Sequence, residues 1–223
     1  MRFLSIIALG AAILAGCATP ARVDQMSVQT SVISSQQYDV ALRNSIAVLD
    51  VTGGKETNPM WTSEVSSADF SAALESSLQS AGLLSLGKQA GNFALTTHLQ
   101  KLDQPIFGID MTVTATANYS LSDRKTGKEL FAKTISTPFT ATFSDAAYGP
   151  SRLKIANEGA VKKNIQKLLD ELRGFRATNA GDTKISEESV DEQLKTLTGL
   201  FDKGLISREI YEQRQKVVLD GRS

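Results

Sequence analysis

The chain has 223 residues, 41% of them hydrophobic, which is enough for one domain and a small appendage. Its 24 basic and 24 acidic residues cancel, and a net charge of +0 argues against nucleic-acid binding by bulk charge. The single cysteine excludes an intramolecular disulfide, and the single histidine leaves little material for a metal site. We therefore expect no nucleic acid, no metal and no cofactor.

The first residues have the features of an export signal. Arg2 supplies positive charge, and the apolar run that follows, about 13 residues, is shorter than the ~20 that a membrane span needs. The run ends in Leu14-Ala15-Gly16-Cys17, which resembles the lipobox of bacterial lipoproteins. That resemblance implies a signal peptide over residues 1–16 that is cleaved between Gly16 and Cys17. It also implies a diacylglycerol on the Cys17 thiol and an acyl chain, such as palmitate, on the α-amine of Cys17 that cleavage releases. The alternative is an ordinary secretory signal with an incidental cysteine.

The residue after the cysteine bears on location. It is Ala18 and not aspartate, which by resemblance to Gram-negative lipoproteins implies the outer membrane, with the protein on its periplasmic face. Two or more acyl chains anchor a protein stably, whereas one binds only marginally. Residues 17–40 are polar, and we expect them to form a lipidated tether that holds the domain clear of the headgroups.

Residues 41–175 are predicted to form an α+β periplasmic domain. A short apolar run at 46–51 favours a buried strand, and the three- and four-residue spacing from 67 to 81 favours a helix. Strict alternation at 93–100 and 111–121, with a return strand through 131–143, predicts a meander, and Pro150 opens a second long helix. The order β-α-β-β-β-α is most simply satisfied by an antiparallel four-stranded sheet with two helices on one face.

By element order, this region resembles small periplasmic α/β lipoproteins such as the lipopolysaccharide-translocon lipoprotein and the YajG-like group. The resemblance implies an alternative function, a lipid- or glycolipid-handling accessory protein of an envelope transport system. That function would require an apolar crevice between sheet and helices, or a basic rim around Lys162, Lys163 and Lys167.

After a linker at 176–186, residues 187–223 are predicted to form a helical hairpin. The hairpin resembles the short C-terminal domain called SHOCT, although Ile210 stands where that family has an acidic residue. The matching residues are Leu194, Leu197, Leu200, Phe201, Gly204, Leu205, Ile206, Ser207, Glu209, Tyr211 and Leu219. The resemblance implies oligomerisation or a protein partner, and a unit this small usually needs one.

The candidate interaction residues are Leu194, Leu197, Phe201, Ile206 and Tyr211 in the hairpin, and Trp61 in the long first loop. The hairpin could instead pack on its own domain, and Trp61 could fold back onto the sheet or helix.

No motif predicts catalysis. His98 falls in the polar register of its strand, Asp50 ends a buried strand, and neither has a companion at catalytic spacing. No Gly-x-Ser-x-Gly sequence is present, and the two Gly-Lys pairs lack the rest of a phosphate loop. We therefore expect a non-enzymatic envelope protein; a hydrolase would require folding to bring His98 or Asp50 together with a serine or carboxylate in a pocket.

Overall fold

The computed structural model describes residues 18–30, 37–59 and 62–177, and residues 194, 195, 197–199, 201–203, 208, 211, 212 and 215. The chain divides into two compact units, Met1–Phe175 and Arg176–Ser223. The described elements of the first unit are α1 (Val23–Met26), a 3₁₀ turn (Val40–Leu42), β1 (Ile46–Thr52), α2 (Ser67–Ser80), β2 (Phe93–Asp103), β3 (Met111–Asp123), β4 (Glu129–Ala141) and α3 (Gly149–Gly174). Within these residues no helix is both long and apolar enough to cross a bilayer.

The four strands form one mixed sheet in the order β1-β2-β3-β4. β2, β3 and β4 are antiparallel neighbours, but β1 and β2 run parallel, so the prediction of a purely antiparallel sheet is wrong. The reason is the connection between β1 and β2. Because α2 carries the chain back along the sheet, β2 starts at the same end as β1, which is the geometry of a β-α-β crossover.

One face of the sheet is buried and the other is open. Val113, Ala115 and Ala117 on β3 are fully buried, as are Tyr119 and Leu121. The alternate side chains pair across the open face: Thr112 with Thr140 at 2.8 Å, Thr116 with Ser136 at 3.0 Å and Asn118 with Thr134 at 2.8 Å. The period of two along a strand places apolar and hydroxyl side chains on opposite faces.

Two helices pack over the buried side of the sheet and touch each other. α3 contacts β3 and β4, while α2 contacts β1 and α3. The Ser66 side chain caps α2 by accepting from the Asp69 amide, and Pro150 lies in the first turn of α3, where its missing N–H costs nothing.

The strand directions define two ends of this unit. At one end, called the proximal end, β1, β2 and β4 finish and β3 begins. The loops 104–110 and 142–148 and the segments 53–59 and 62–66 lie there. At the distal end lie the loops 81–92 and 124–128.

Candidate functional site

The first described residues are fastened to the proximal end. The Ala18 amide donates to the Pro59 carbonyl at 2.9 Å, and the Ser63 hydroxyl donates to the Thr19 carbonyl at 2.8 Å. Ala18 and Ala21 are 6% and 4% exposed. The chain is therefore bound to the domain from Ala18 onward.

The next residues run between the two long helices. α1 contacts both α2 and α3, and Met26 on α1 is completely buried. The Val28 amide donates to the buried Ser77 hydroxyl of α2 at 2.9 Å. Of the tether expected at 17–40, residues 18–30 are packed on the domain, since Ala18, Ala21, Met26 and Val28 are buried there.

Burial also affects a carboxyl beside this segment. Glu158 of α3 accepts a 2.8 Å hydrogen bond from the Arg22 amide. Its burial raises the pKa of Glu158 above the ordinary 4.5, and the hydrogen bond from Arg22 offsets part of that rise. Glu64 follows the same rule: burial raises its pKa, while the charge of Lys55 opposes the change.

Four predicted site residues lie outside the described residues: Gly16, Cys17, Trp61 and Ile206. Ala18, bonded directly to Cys17, is described. The position of Ala18 therefore fixes where an anchor on Cys17 would join the domain.

The other predicted interaction residues lie in the second unit. Leu194, Leu197, Phe201 and Tyr211 are all half-buried. The rings of Phe201 and Tyr211 lie 4.9 Å apart at 31°, and the Tyr211 hydroxyl is 3.3 Å from that of Thr198. These contacts join residues on either side of Gly204, where the sequence predicts the turn of the hairpin.

A depression of about 500 Å³ lies on the open face of the sheet. The register of β1 shifts between Val48 and Val51, and beyond the shift Thr52 pairs with His98. Asp50 and His98, the two residues that the sequence analysis considered for catalysis, both line this depression. They are 48 positions apart along the chain, so the sequence alone does not reveal that they share it. Its lining includes Asp50, Thr52, Thr96, His98, Asn118, Ser120, Glu129, Lys133 and Thr134.

Hydroxyl groups form side-chain hydrogen bonds in this depression. The Thr52 hydroxyl is 2.9 Å from His98 Nδ1, and the Ser120 hydroxyl donates to Glu129 at 2.5 Å. The Thr52–His98 contact is a hydroxyl–imidazole pair of the kind in which a base can activate a nucleophile, and the Ser120 hydroxyl is paired with a carboxylate. The depression therefore holds His98 and Asp50 together with a serine and a carboxylate, the arrangement that a hydrolase would require. Across the described part of the chain, no three His, Cys, Asp or Glu side chains cluster as a metal site would require.

The space between α3 and the sheet is occupied by side chains. Asn164 donates to the carbonyls of Ala115 at 3.0 Å and Ile135 at 2.9 Å, and it accepts from the Tyr119 hydroxyl at 2.7 Å. Burial raises the pKa of Tyr119, so this hydroxyl stays a neutral donor. A lipid crevice here would have to displace these groups.

The predicted basic rim also has partners within the domain. Lys167 forms an ion pair with Glu171 at 3.5 Å. Lys163 lies 5.2 Å from the centre of the Phe139 ring and donates to the Pro138 carbonyl at 3.4 Å.

The chain matches no family model and no curated protein sequence. Among solved structures it is similar to a candidate lipoprotein from Caulobacter crescentus, at 16% identity and a TM-score of 0.43, over 59% of this chain and 89% of that one. It is also similar to the PelC dodecamer of Paraburkholderia phytofirmans, at 14% identity and a TM-score of 0.41, over 60% and 92% of the two chains. A minor lipoprotein from Acinetobacter baumannii gives 10% identity and a TM-score of 0.40, over 59% and 93%. Likeness at this level carries no functional conclusion.

Proposed function

We propose that this protein is a non-enzymatic lipoprotein of the cell envelope, acylated at Cys17 and held on the periplasmic face of the outer membrane. The observation that carries the proposal is the sequence Leu14-Ala15-Gly16-Cys17 at the end of a short apolar run. Ala18 is buried in the folded domain, so an anchor on Cys17 would be coupled directly to that domain.

The role of such a protein is to hold a protein partner, or a second copy of itself, at the membrane. The C-terminal hairpin is the interaction module in this proposal. Its support is the half-buried apolar set Leu194, Leu197, Phe201 and Tyr211 in the hairpin predicted over residues 187–223, a length at which a partner is usually needed. The non-enzymatic role is supported by the sequence, which contains no Gly-x-Ser-x-Gly motif and no complete phosphate loop.

The anchor is tested by membrane fractionation of a Cys17→Ser variant. Thioether acylation requires the sulfur, so the variant should appear in the soluble fraction or keep its signal peptide. Thr19→Ser, which leaves the lipobox and the exposed character of the site unchanged, is the matched control and should stay in the membrane fraction. Normal processing and retention of Cys17→Ser would contradict acylation.

The role of the hairpin is tested by in-cell crosslinking after deletion of residues 182–223. The deletion should remove the crosslinked species that the full-length protein forms. A Leu194→Ala/Phe201→Ala variant should do the same, while Lys195→Ala, a neighbouring polar change, should not. An unchanged set of crosslinked species would contradict the assigned role.

A further inference from the structure

Five large apolar side chains are exposed together at the proximal end. Ile106, Phe107 and Ile109 on the loop 104–110 are 96%, 84% and 76% exposed. Phe143 and Tyr148 on the loop 142–148 are 57% and 46% exposed. Single exposed apolar residues are ordinary, but a contiguous set marks a surface that meets another apolar phase. These five residues are called the apolar tip below.

The two loops that carry the apolar tip are fastened together. Arg152, at the start of α3, is buried. Its guanidinium donates to the carbonyl of Ala146, to that of Ala147 at 3.2 Å and to that of Gly108 at 3.4 Å. The same group lies 5.5 Å from the centre of the Phe143 ring. The Phe143 amide donates to the Asp110 carboxylate at 3.1 Å. The apolar side chains therefore project from a bound framework.

The apolar tip lies at the same end as the chain's first described residue. The side-chain Nε2 of Gln104 donates to the Ser63 carbonyl at 2.9 Å, and the Ser63 hydroxyl donates to the Thr19 carbonyl at 2.8 Å. Lys154, on the first turns of α3, donates to the Thr19 hydroxyl at 3.1 Å. Gln104 is two residues before Ile106, and Cys17 directly precedes Ala18 in the sequence.

We propose that the apolar tip inserts into the lipid bilayer beside the acylated Cys17 and sets the orientation of the domain on the membrane. The inference rests on the proposed acylation. Because Ala18 is bound to the proximal end, acyl chains on Cys17 would bring that end to the bilayer surface, where the five side chains meet lipid. Aromatic and aliphatic side chains suit the headgroup–acyl boundary, and Asp110 and Asp145 beside them limit the depth of insertion to that boundary.

The single cysteine provides a direct test. In the acylated protein the Cys17 sulfur is a thioether, so a cysteine introduced elsewhere is the only thiol. Ile106→Cys places an environment-sensitive nitrobenzoxadiazole probe in the apolar tip. Leu86→Cys is the matched control, since Leu86 is also a large apolar side chain, 100% exposed, in a loop at the distal end.

The labelled, acylated proteins are reconstituted into phosphatidylethanolamine–phosphatidylglycerol vesicles with or without a doxyl-labelled lipid. The probe at position 106 should shift its emission to the blue and be quenched at least twofold more than the probe at position 86. Equal emission and equal quenching at the two positions, in protein that floats with the vesicles, would overturn the insertion while leaving the anchor intact, and would point to a protein partner for the tip.

The unsubstituted protein distinguishes a failure of the proposed insertion from a failure of the proposed acylation. It should float with the vesicles and take up no probe, because its only cysteine is acylated. Labelling of Cys17 in that protein, or failure to float, would overturn the acylation and the insertion with it.

Discussion

The backbone amide of Arg22 donates a 2.8 Å hydrogen bond to Oε1 of Glu158, a residue 136 positions further along the chain. The bond joins the start of the described chain to the middle of α3. With the Val28–Ser77 bond to α2, it holds the N-terminal segment against both long helices. A lipid anchor at Cys17 would therefore act on the domain as a whole and not through a loose linker.

Replacement of Glu158 by glutamine should change how stability depends on pH. Burial raises the pKa of Glu158 above 4.5, and the charge of Asp24 adds slightly to the rise. The hydrogen bond from the Arg22 amide and the charges of Lys154 and Arg22 lower the pKa, but by less than burial raises it. Because the pKa of Glu158 is higher in the folded state than in the unfolded state, its protonated carboxyl stabilises the fold below pH 4.5. That contribution to the free energy of unfolding is lost as pH rises through the folded-state pKa.

Glu158→Gln keeps an oxygen for the Arg22 amide but cannot ionise. Its free energy of unfolding should therefore not show this loss, and the difference from the unsubstituted protein should grow in favour of the variant as pH rises from below 4.5 to neutrality. Urea unfolding over that interval measures the difference. A difference that does not vary with pH would contradict the assignment.

Asn164 should be one of the most sensitive positions in the domain. Its side chain is 1% exposed, donates to the carbonyls of Ala115 and Ile135, and accepts from the hydroxyl of Tyr119. Asn164→Leu would leave these groups buried without their partner, at a cost of about 2–5 kcal/mol.

The Tyr119→Phe change provides the control for that prediction. Alone it should cost about 1 kcal/mol, and in the Asn164→Leu background it should cost less or become favourable, because it then removes an unpaired hydroxyl. Urea unfolding of the two single variants and the double variant tests this. Strictly additive costs would contradict the proposed coupling.

Two glycines of α3 should respond oppositely to alanine. A Cβ at Gly159 would overlap the Phe139 ring of β4, whereas a Cβ at Gly174 would meet no atom within 4 Å. Gly159→Ala should destabilise the domain by about 1–3 kcal/mol through overpacking. Gly174→Ala should be neutral or stabilise it by up to about 1 kcal/mol through helix propensity. Thermal unfolding compares the two, and equal effects would contradict the close packing of α3 on β4.

The sequence predicts individual elements better than their arrangement. The alternation from Met111 to Leu121 identifies β3 because a strand has a period of two whatever its neighbours are. The direction of β1 relative to β2 depends on where the crossover delivers the chain, which no local pattern encodes, and there the antiparallel prediction is wrong.

The functional surfaces show the same division. The lipobox is a local signal and can be read directly, whereas residues 18–30 look like a tether because their few apolar residues are spread among polar ones. Their burial depends on the groove between α2 and α3, which exists only after folding. The sequence also does not indicate the apolar tip, since Ile106, Phe107 and Ile109 between Pro105 and Asp110 resemble any short apolar stretch until their exposure is known.

The most direct test of this account is the intact mass of the N-terminal peptide of the mature protein, isolated from membranes. We predict that residues 1–16 are absent and that the peptide beginning at Cys17 carries the added mass of a diacylglyceryl group and an amide-linked acyl chain. A peptide with an unmodified Cys17, or one that retains the residues before it, would contradict the account.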